Sequence, residues 1–316
     1  MIRTLLVGYG GMGKVHYANT AALESAEIVG IVGTERDREE AEKTGLPFFL
    51  TISEGMKALS ADVIDITTPT FLHKDHAIEA LREKADVIVE KPLALSAEDA
   101  RKIYQAADKA GKKVYPAYVM RYTKEYDVLS SFVREGRYGN VAEASFWRLS
   151  EMPGWVDGSW LFDREKSGLI PFDLHIHDLD MIISLFGNFS SFDEYSPLSP
   201  DGMKHFYSIA YDYGSFRVTA EAGWLRGKIP FSSGWRLIME HGVAVYDGNR
   251  ITLYSEDGEN DLTPSYSRIV STGINVPPTG WYYEELREIY AAISEGSDGR
   301  VKKEEVFTVL GAAGKL

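Results

Sequence analysis

The period of the polar and apolar positions changes part-way along the chain, and that change divides it. Before about residue 120, short apolar runs without a polar break alternate with segments of helical spacing. The runs predict strands at Ile2–Val7, Glu27–Val32, Val63–Thr67, Val87–Glu90 and Lys113–Pro116, with Pro47-Phe48-Phe49 as a further short one. Helices are predicted between them at Gly13–Leu23, Arg36–Thr44, Ser53–Leu59, His73–Glu83 and Ser96–Ala110. Strands apolar on both faces, each followed by a helix, call for a parallel, doubly wound α/β sheet with right-handed crossovers. Beyond Met120 the pattern predicts a helix over Tyr122–Arg134, strand-like alternation from Val141 and a helix over Phe172–Phe186. Aromatic and β-branched runs follow at His205–Asp212, Ser215–Gly223, Trp235–Glu240, Val243–Tyr246 and Ile251–Tyr254. Asp212-Tyr213-Gly214, His241-Gly242 and Asp247-Gly248-Asn249 are hairpin signals between them. The polar, Gly/Ser/Pro-rich segment Ser255–Pro278 is expected to be a loop, and Tyr282–Ile293 and Glu304–Lys315 to be closing helices. The expected organisation is therefore a nucleotide-type parallel sheet over residues 1–120 and an α+β domain over 121–316 with an open, mostly antiparallel sheet.

The first strand-to-helix turn carries the most specific backbone signal. Gly8, Gly10 and Gly13 follow the run Leu5-Leu6-Val7, with Gly11 and Met12 between the last two. In a dinucleotide fold the first glycine permits the tight turn, the second lets a pyrophosphate approach, and the third lets helix pack close to strand. The helix N-terminus then offers free N–H groups and a positive dipole end to the phosphates. Thr67-Thr68-Pro69 and Glu90-Lys91-Pro92 close two further strands. In open α/β sheets ligands sit beyond such carboxyl ends.

Three stretches carry candidate chemistry. After the second strand stands Gly33-Thr34-Glu35-Arg36-Asp37-Arg38. An acidic residue directly at this strand end bonds the adenosine ribose and repels a 2′-phosphate. Here the first position is Gly33, while Thr34, Arg36 and Arg38 can serve a phosphate, which favours NADP over NAD. Glu35 is the alternative ribose partner. Lys91 is held at a strand end by Pro92, which disfavours helical conformations before it. Its ammonium can therefore project over the crevice and hold a substrate hydroxyl. In the third stretch, Phe172, Ile176, Leu179, Ile183 and Phe186 form one helical stripe, and Asp173, His177 and Asp180 fall at i, i+4 and i+7 beside it. A carboxylate one turn from an imidazole fixes its tautomer and suits it to acid–base work. His175 and His177 also raise a metal centre. Residues two apart on a helix point to different faces, so no metal site is expected. His16, His73 and His76 read as structural or surface residues.

Composition narrows the partners. The chain has 316 residues, a net charge of −13 and no cysteine. Two domains with their own cores fit this length. The negative charge disfavours nucleic acid and anionic membranes as bulk partners while leaving room for an anionic cofactor held by local donors. No apolar window reaches the length of a membrane span, and Arg3 is followed by too short an apolar run for a signal peptide. The lack of cysteine excludes disulfides and thiolate chemistry and fits a reducing compartment, so a cytoplasmic location is expected.

Taken together, Gly8–Gly13, Thr68-Pro69 with His73, Glu90-Lys91-Pro92, Arg121-Tyr122, Trp160 and the stretch Asp173–His177 resemble the glucose–fructose oxidoreductase / inositol dehydrogenase family (Gfo/Idh/MocA). The resemblance implies an N-terminal Rossmann domain and a C-terminal domain whose open sheet serves homodimer or homotetramer contacts. It implies hydride transfer between a nicotinamide and a carbinol carbon of a sugar, polyol, inositol or related carbohydrate. By position, Lys91 and Asp173 match the family's substrate-orienting residues and His177 its acid–base residue. The resemblance also moves His73 to the nicotinamide side of the cofactor site, and makes Tyr118, Trp155 and Trp160 candidates for stacking on a sugar. Two departures stand out: the glycine-rich run before the aspartate is reduced to Gly168-Leu169-Ile170, and His175 replaces a glycine. The latter is expected to narrow or reshape the pocket. A non-catalytic dinucleotide-binding regulator of the same fold is the rival reading, and a metal hydrolase built on His175 and His177 a third.

Overall fold

The computed structural model describes residues 1–154, 160–272 and 279–316. They form two units: Met1–Thr123 with Tyr266–Leu310, and Lys124–Ser265 with Gly311–Leu316. A single cut at 120/121 therefore misses the return of the chain to the first unit after Ser265.

The first unit begins β1 (Ile2–Val7), α1 (Gly11–Thr20), β2 (Ala26–Val32), α2 (Arg38–Glu42), β3 (Phe48–Phe49) and α3 (Ile52–Leu59). It continues β4 (Val63–Ile66), α4 (His73–Arg82), β5 (Asp86–Glu90), α5 (Ala97–Ala110) and β6 (Val114–Ala117). The strands lie in the order β3-β2-β1-β4-β5-β6, all parallel. Strand order reverses at β1, which places the ligand crevice of such a sheet at the β1 and β4 strand ends. Leu5, Leu6, Ile31, Val63, Ile64, Ile66, Val87, Ile88 and Val89 are almost wholly buried, as unbroken apolar runs require. Ser96 caps α5 by accepting from the Asp99 N–H at 3.1 Å, and Gly111 ends it at φ 66°.

The second unit holds α6 (Lys124–Glu135), β7 (Val141–Glu151), α7 (Arg164–Ser167), α8 (Leu169–Asp173) and α9 (Ile176–Phe186). Its remaining strands are β8 (Ser191–Tyr195), β9 (Phe206–Asp212), β10 (Arg217–Leu225), β11 (Ser232–Met239), β12 (Gly242–Tyr246), β13 (Ile251–Ser255) and β14 (Gly258–Asp261). They form an eight-stranded sheet in the order β14-β13-β12-β11-β7-β10-β9-β8, antiparallel except for β7 against β10. β8 and β14 are the edges, and periodicity misses both. Edge strands tolerate charge, and the residues of β14, Gly-Glu-Asn-Asp, are all exposed. Part of the expected loop Ser255–Pro278 is thus a strand; residues 273–278 lie outside the described residues.

The closing helices are α10 (Trp281–Glu295) and α11 (Lys303–Ala313). α10 packs on α1 through a face that buries Leu286, Ile289 and Tyr290. The Tyr290 hydroxyl meets Thr4 Oγ1 of β1 at 3.0 Å.

Candidate cofactor and active-site residues

Gly8 turns the chain at φ 98°, a left-handed conformation that glycine adopts without strain. The Thr67 hydroxyl donates to the Gly8 carbonyl at 2.9 Å and pins the turn to the end of β4. α1 starts at Gly11, two residues earlier than the spacing predicts, because Gly10 is its N-cap. The first helical bond runs from Lys14 N–H to Gly10 O at 3.0 Å, so the Gly11, Met12 and Gly13 N–H groups precede it. No side chain caps this end and its first turn has no acidic residue. A β-carbon on Gly13 would overlap the Gly8 carbonyl oxygen, whereas one on Gly10 would meet no atom within 4 Å. Helix–strand closeness thus demands Gly13, and the open space at Gly10 is where an anionic pyrophosphate fits.

The predicted donors beyond β2 are differently placed. Thr34 donates from both its N–H and its hydroxyl to Asp37, each at 2.8 Å. Arg38 pairs with Glu35 at 2.7 and 2.9 Å and stacks over Phe48. Arg36 is exposed and has no ion pair among the described residues.

At the neighbouring strand ends, Thr68 and Pro69 are half-buried, and Thr68 Oγ1 meets His76 Nδ1 at 3.1 Å. His73 is buried, one ring nitrogen 2.8 Å from the Pro92 carbonyl and the other 2.7 Å from that of Thr68. Burial lowers its pKa despite those carbonyls, and the neutral ring donates to one of the two. Lys91 is half-buried at the end of β5, and its peptide bond to Pro92 is cis. Tyr118 is 1 % exposed and lies in the core, while Trp160 is half-buried. Trp155 lies outside the described residues.

Beneath the Gly8 turn lies a charge cluster that the sequence reading did not find. His16 of α1 is fully buried. Its Nδ1 is 2.8 Å from Asp65 of β4 and its Nε2 3.1 Å from Glu90 of β5. Two carboxylates can only accept, so the ring serves both as an imidazolium. Burial opposes that charge, but Asp65 and Glu90 outweigh it and raise the His16 pKa well above the usual histidine value. Glu90 is likewise ionised: burial raises its pKa, but His16 and Lys91 together bring it below the ordinary value. Glu90, expected to line the cofactor site, is 4 % exposed. Glu285 of α10 is fully buried with both oxygens unpartnered, and burial, reinforced by Glu90, raises its pKa well above the carboxylate range. One signal was available, an aspartate inside the otherwise apolar strand Val63-Ile64-Asp65-Ile66.

Both raised groups make stability fall with rising pH. A raised folded pKa contributes fully below the unfolded value, about 4.5 for glutamate and 6.5 for histidine, and is lost as pH climbs through the folded one. Glu285→Gln removes one proton from this balance. Its melting temperature relative to wild type should be level below about pH 4.5, the unfolded glutamate value, and climb as the pH rises above it. A difference independent of pH would show that Glu285 is ionised in the folded protein.

In the second unit the predicted helix Phe172–Phe186 is broken. α8 ends at Asp173, Leu174 and His175 intervene, and α9 restarts at Ile176. Asp173 and His177 therefore stand on either side of this interruption, whose two residues keep right-handed helical dihedrals. The break follows a tight corner in which Gly168 and Leu169 both have positive φ, 71° and 59°. Across Pro171–Ile183, Asp173 and His177 are the two residues with partial exposure; Asp180 is buried. Behind them Arg148 of β7 makes a bidentate pair with Asp178, at 2.8 and 3.2 Å. His175 is fully buried and 2.6 Å from the Tyr211 hydroxyl, and burial with nearby Arg148 pushes its pKa down to about 3. The residue expected to narrow or reshape the pocket is thus fully buried, its ring parallel to that of Tyr211 in β9. Among the described residues no group of three or more His, Asp and Glu side chains could hold a metal ion, and no helix is long and apolar enough to cross a membrane.

Residues 2–118 match the model of the oxidoreductase family with an NAD-binding Rossmann fold. Residues 2–118 belong to the Gfo/Idh/MocA oxidoreductase family. Among curated relatives, inositol 2-dehydrogenase of Arthrobacter sp. (strain FB24) is 30% identical over 145 residues, covering 44% of this chain and 43% of that protein. Glucose-6-phosphate 3-dehydrogenase of Bacillus subtilis (strain 168) is 28% identical over 189 residues, covering 57% and 53%. The matches thus span about half the length of these relatives. Among solved structures, levoglucosan dehydrogenase in complex with NADH and levoglucosan shares the fold at a TM-score of 0.83 and 19% identity, covering 99% of this chain and 95% of that one. An oxidoreductase from Agrobacterium radiobacter in complex with NAD+, L-tartaric acid and magnesium gives a TM-score of 0.85 at 15% identity, covering 99% and 94%. The Rossmann unit and the second, mostly antiparallel sheet are both part of that shared fold.

Proposed function

We propose that this chain is a nicotinamide-dependent oxidoreductase acting on a carbinol carbon of a sugar, polyol, inositol or related carbohydrate. The observation that carries the reading is the uncapped α1 terminus at a strand-order reversal, with open space at Gly10, in a segment that matches the NAD-binding family. Gly10, Gly11 and Met12 hold the pyrophosphate, with Thr67, Thr68 and Pro69 lining the adjoining strand end. The bound nicotinamide supplies a two-electron acceptor or donor. Lys91 and Asp173 orient the substrate hydroxyl, and His177 takes its proton in oxidation or returns one in reduction. Trp160 is the aromatic surface offered to the sugar ring. The relatives named for inositol, glucose 6-phosphate and levoglucosan support this substrate class. A cytoplasmic homodimer or homotetramer, assembled through the second unit's sheet, completes the reading.

NADP is the preferred cofactor in this proposal. The exposed Arg36 guanidinium is available to a 2′-phosphate, and Glu35 is neutralised by Arg38. Fluorescence titration should give a lower Kd for NADPH than for NADH, and Arg36→Ala should remove about tenfold of that preference, the worth of one charge-assisted contact. Tighter NADH binding in the wild type would assign the ribose to Glu35. Tight cofactor binding with no transfer to a panel of myo-inositol, levoglucosan and glucose 6-phosphate would favour the non-catalytic reading.

A further inference from the structure

The buried cluster beneath the cofactor turn ends on Lys91. His16 is clamped at both ring nitrogens, so its plane cannot turn without breaking a contact to Asp65 or Glu90. Glu90 Oε1 takes the contact from His16, and Glu90 Oε2 accepts the backbone N–H of Lys91 at 2.9 Å. On the other side of Lys91, His73 Nδ1 stands 2.8 Å from the Pro92 carbonyl. The lysine backbone is thereby fixed from α1 through Glu90, with His73 of α4 against the following residue. The charges alternate along the chain of contacts: Asp65 negative, His16 positive, Glu90 negative, Lys91 positive. Glu285 faces the same group from α10, and Thr4 and Tyr290 close it from β1 and α10.

Such a cluster is an unusual way to fill a core. Buried charges lose much of their mutual attraction to desolvation, and well-packed apolar residues of similar volume often serve stability as well or better. Both Glu90 oxygens are engaged and the residue is 4 % exposed, so whatever it contributes to a ligand passes through Lys91.

We propose that His16 is a positioning residue for Lys91, acting through Glu90. This rests on the reading of Lys91 as the group that orients the substrate hydroxyl. His16 keeps Glu90 ionised and aligned, and Glu90 in turn holds the Lys91 N–H and sets an anion behind its ammonium.

The test is a double-mutant cycle of His16→Gln with Lys91→Ala, repeated with Glu90→Gln in place of His16→Gln should that variant fail to fold. His16→Gln should lower kcat at least about tenfold, the scale of a displaced orienting group, with the NADH Kd little changed. On the Lys91→Ala background the same substitution should change kcat by less than about twofold, since the two act as one unit. A second readout needs no substrate: the rate at which trinitrobenzenesulfonate labels the Lys91 amine, followed by peptide mass. That rate should rise in His16→Gln, while the rate at the exposed Lys57 stays level. Additive losses in the cycle, a defect confined to NADH binding, or unchanged Lys91 labelling would overturn the proposal. A wild-type protein that turns over no member of the panel would sink the dehydrogenase reading instead, and the labelling would still decide whether His16 acts on Lys91.

Discussion

Replacing His177 by alanine should lower turnover by about a hundredfold or more, the range for a lost general acid–base group. His177 stands in the first turn of α9, partly exposed, in a stretch where Asp173 alone shares that exposure. The surroundings hold it there by elimination. Asp178 is drawn into its pair with Arg148, and His175 is turned towards Tyr211 and kept neutral at physiological pH. Neither neighbour can substitute for the lost imidazole. His177→Ala should leave the fold and the NADH Kd unchanged, because Gly8–Gly13 and Lys91 belong to the other unit. Steady-state rates on the substrate with the highest wild-type turnover give the answer. Full activity in the variant would remove His177 from the mechanism, and a loss shared equally with cofactor binding would make its role structural.

Gly13→Ala should come close to abolishing cofactor binding. The added methyl would collide with the Gly8 carbonyl and press on Thr67 Oγ1, 3.1 Å away, so either α1 or the turn must move. Overpacking of this kind costs about 1–3 kcal/mol of stability. Displacing the α1 terminus also misaligns the Gly11 and Met12 N–H donors; two charge-assisted bonds together are worth about 3 kcal/mol, or roughly a hundredfold in Kd. Gly10→Ala is the informative contrast. Its methyl meets nothing in the protein and its φ of −75° suits any residue, so the melting temperature should hold while NADH binding weakens about tenfold. Calorimetry and NADH titration on both variants separate the two causes. Unaltered binding in Gly10→Ala would place the pyrophosphate elsewhere.

The first unit was the more legible half. Its strands are apolar throughout, and a strand buried on both faces announces itself by an unbroken run such as Leu5-Leu6-Val7 or Val87-Ile88-Val89. Gly8, Gly10 and Gly13 were readable because each answers a backbone demand made within a few residues. The edge strands β8 and β14 were not: one of the two half-buried positions of β8 is the charged Glu194, and β14 is exposed throughout, so neither carries an apolar alternation.

What the amino-acid order determined by itself is the alternation of strand and helix, the glycine turn, the Lys91 strand end and the pairing of a parallel unit with a mostly antiparallel one. These follow from periods and steric demands that act over a few residues. Tertiary structure alone decided the rest. It interrupted the predicted helix at Leu174 and His175, where His175 sits against Tyr211. It returned residues 266–310 to the first unit, where α10 covers α1. It also made His16 an imidazolium by bringing to it Asp65 and Glu90, which are 49 and 74 residues away in the chain. Charge state and burial depend on which groups share a low-dielectric interior, and only the folded chain brings those groups together.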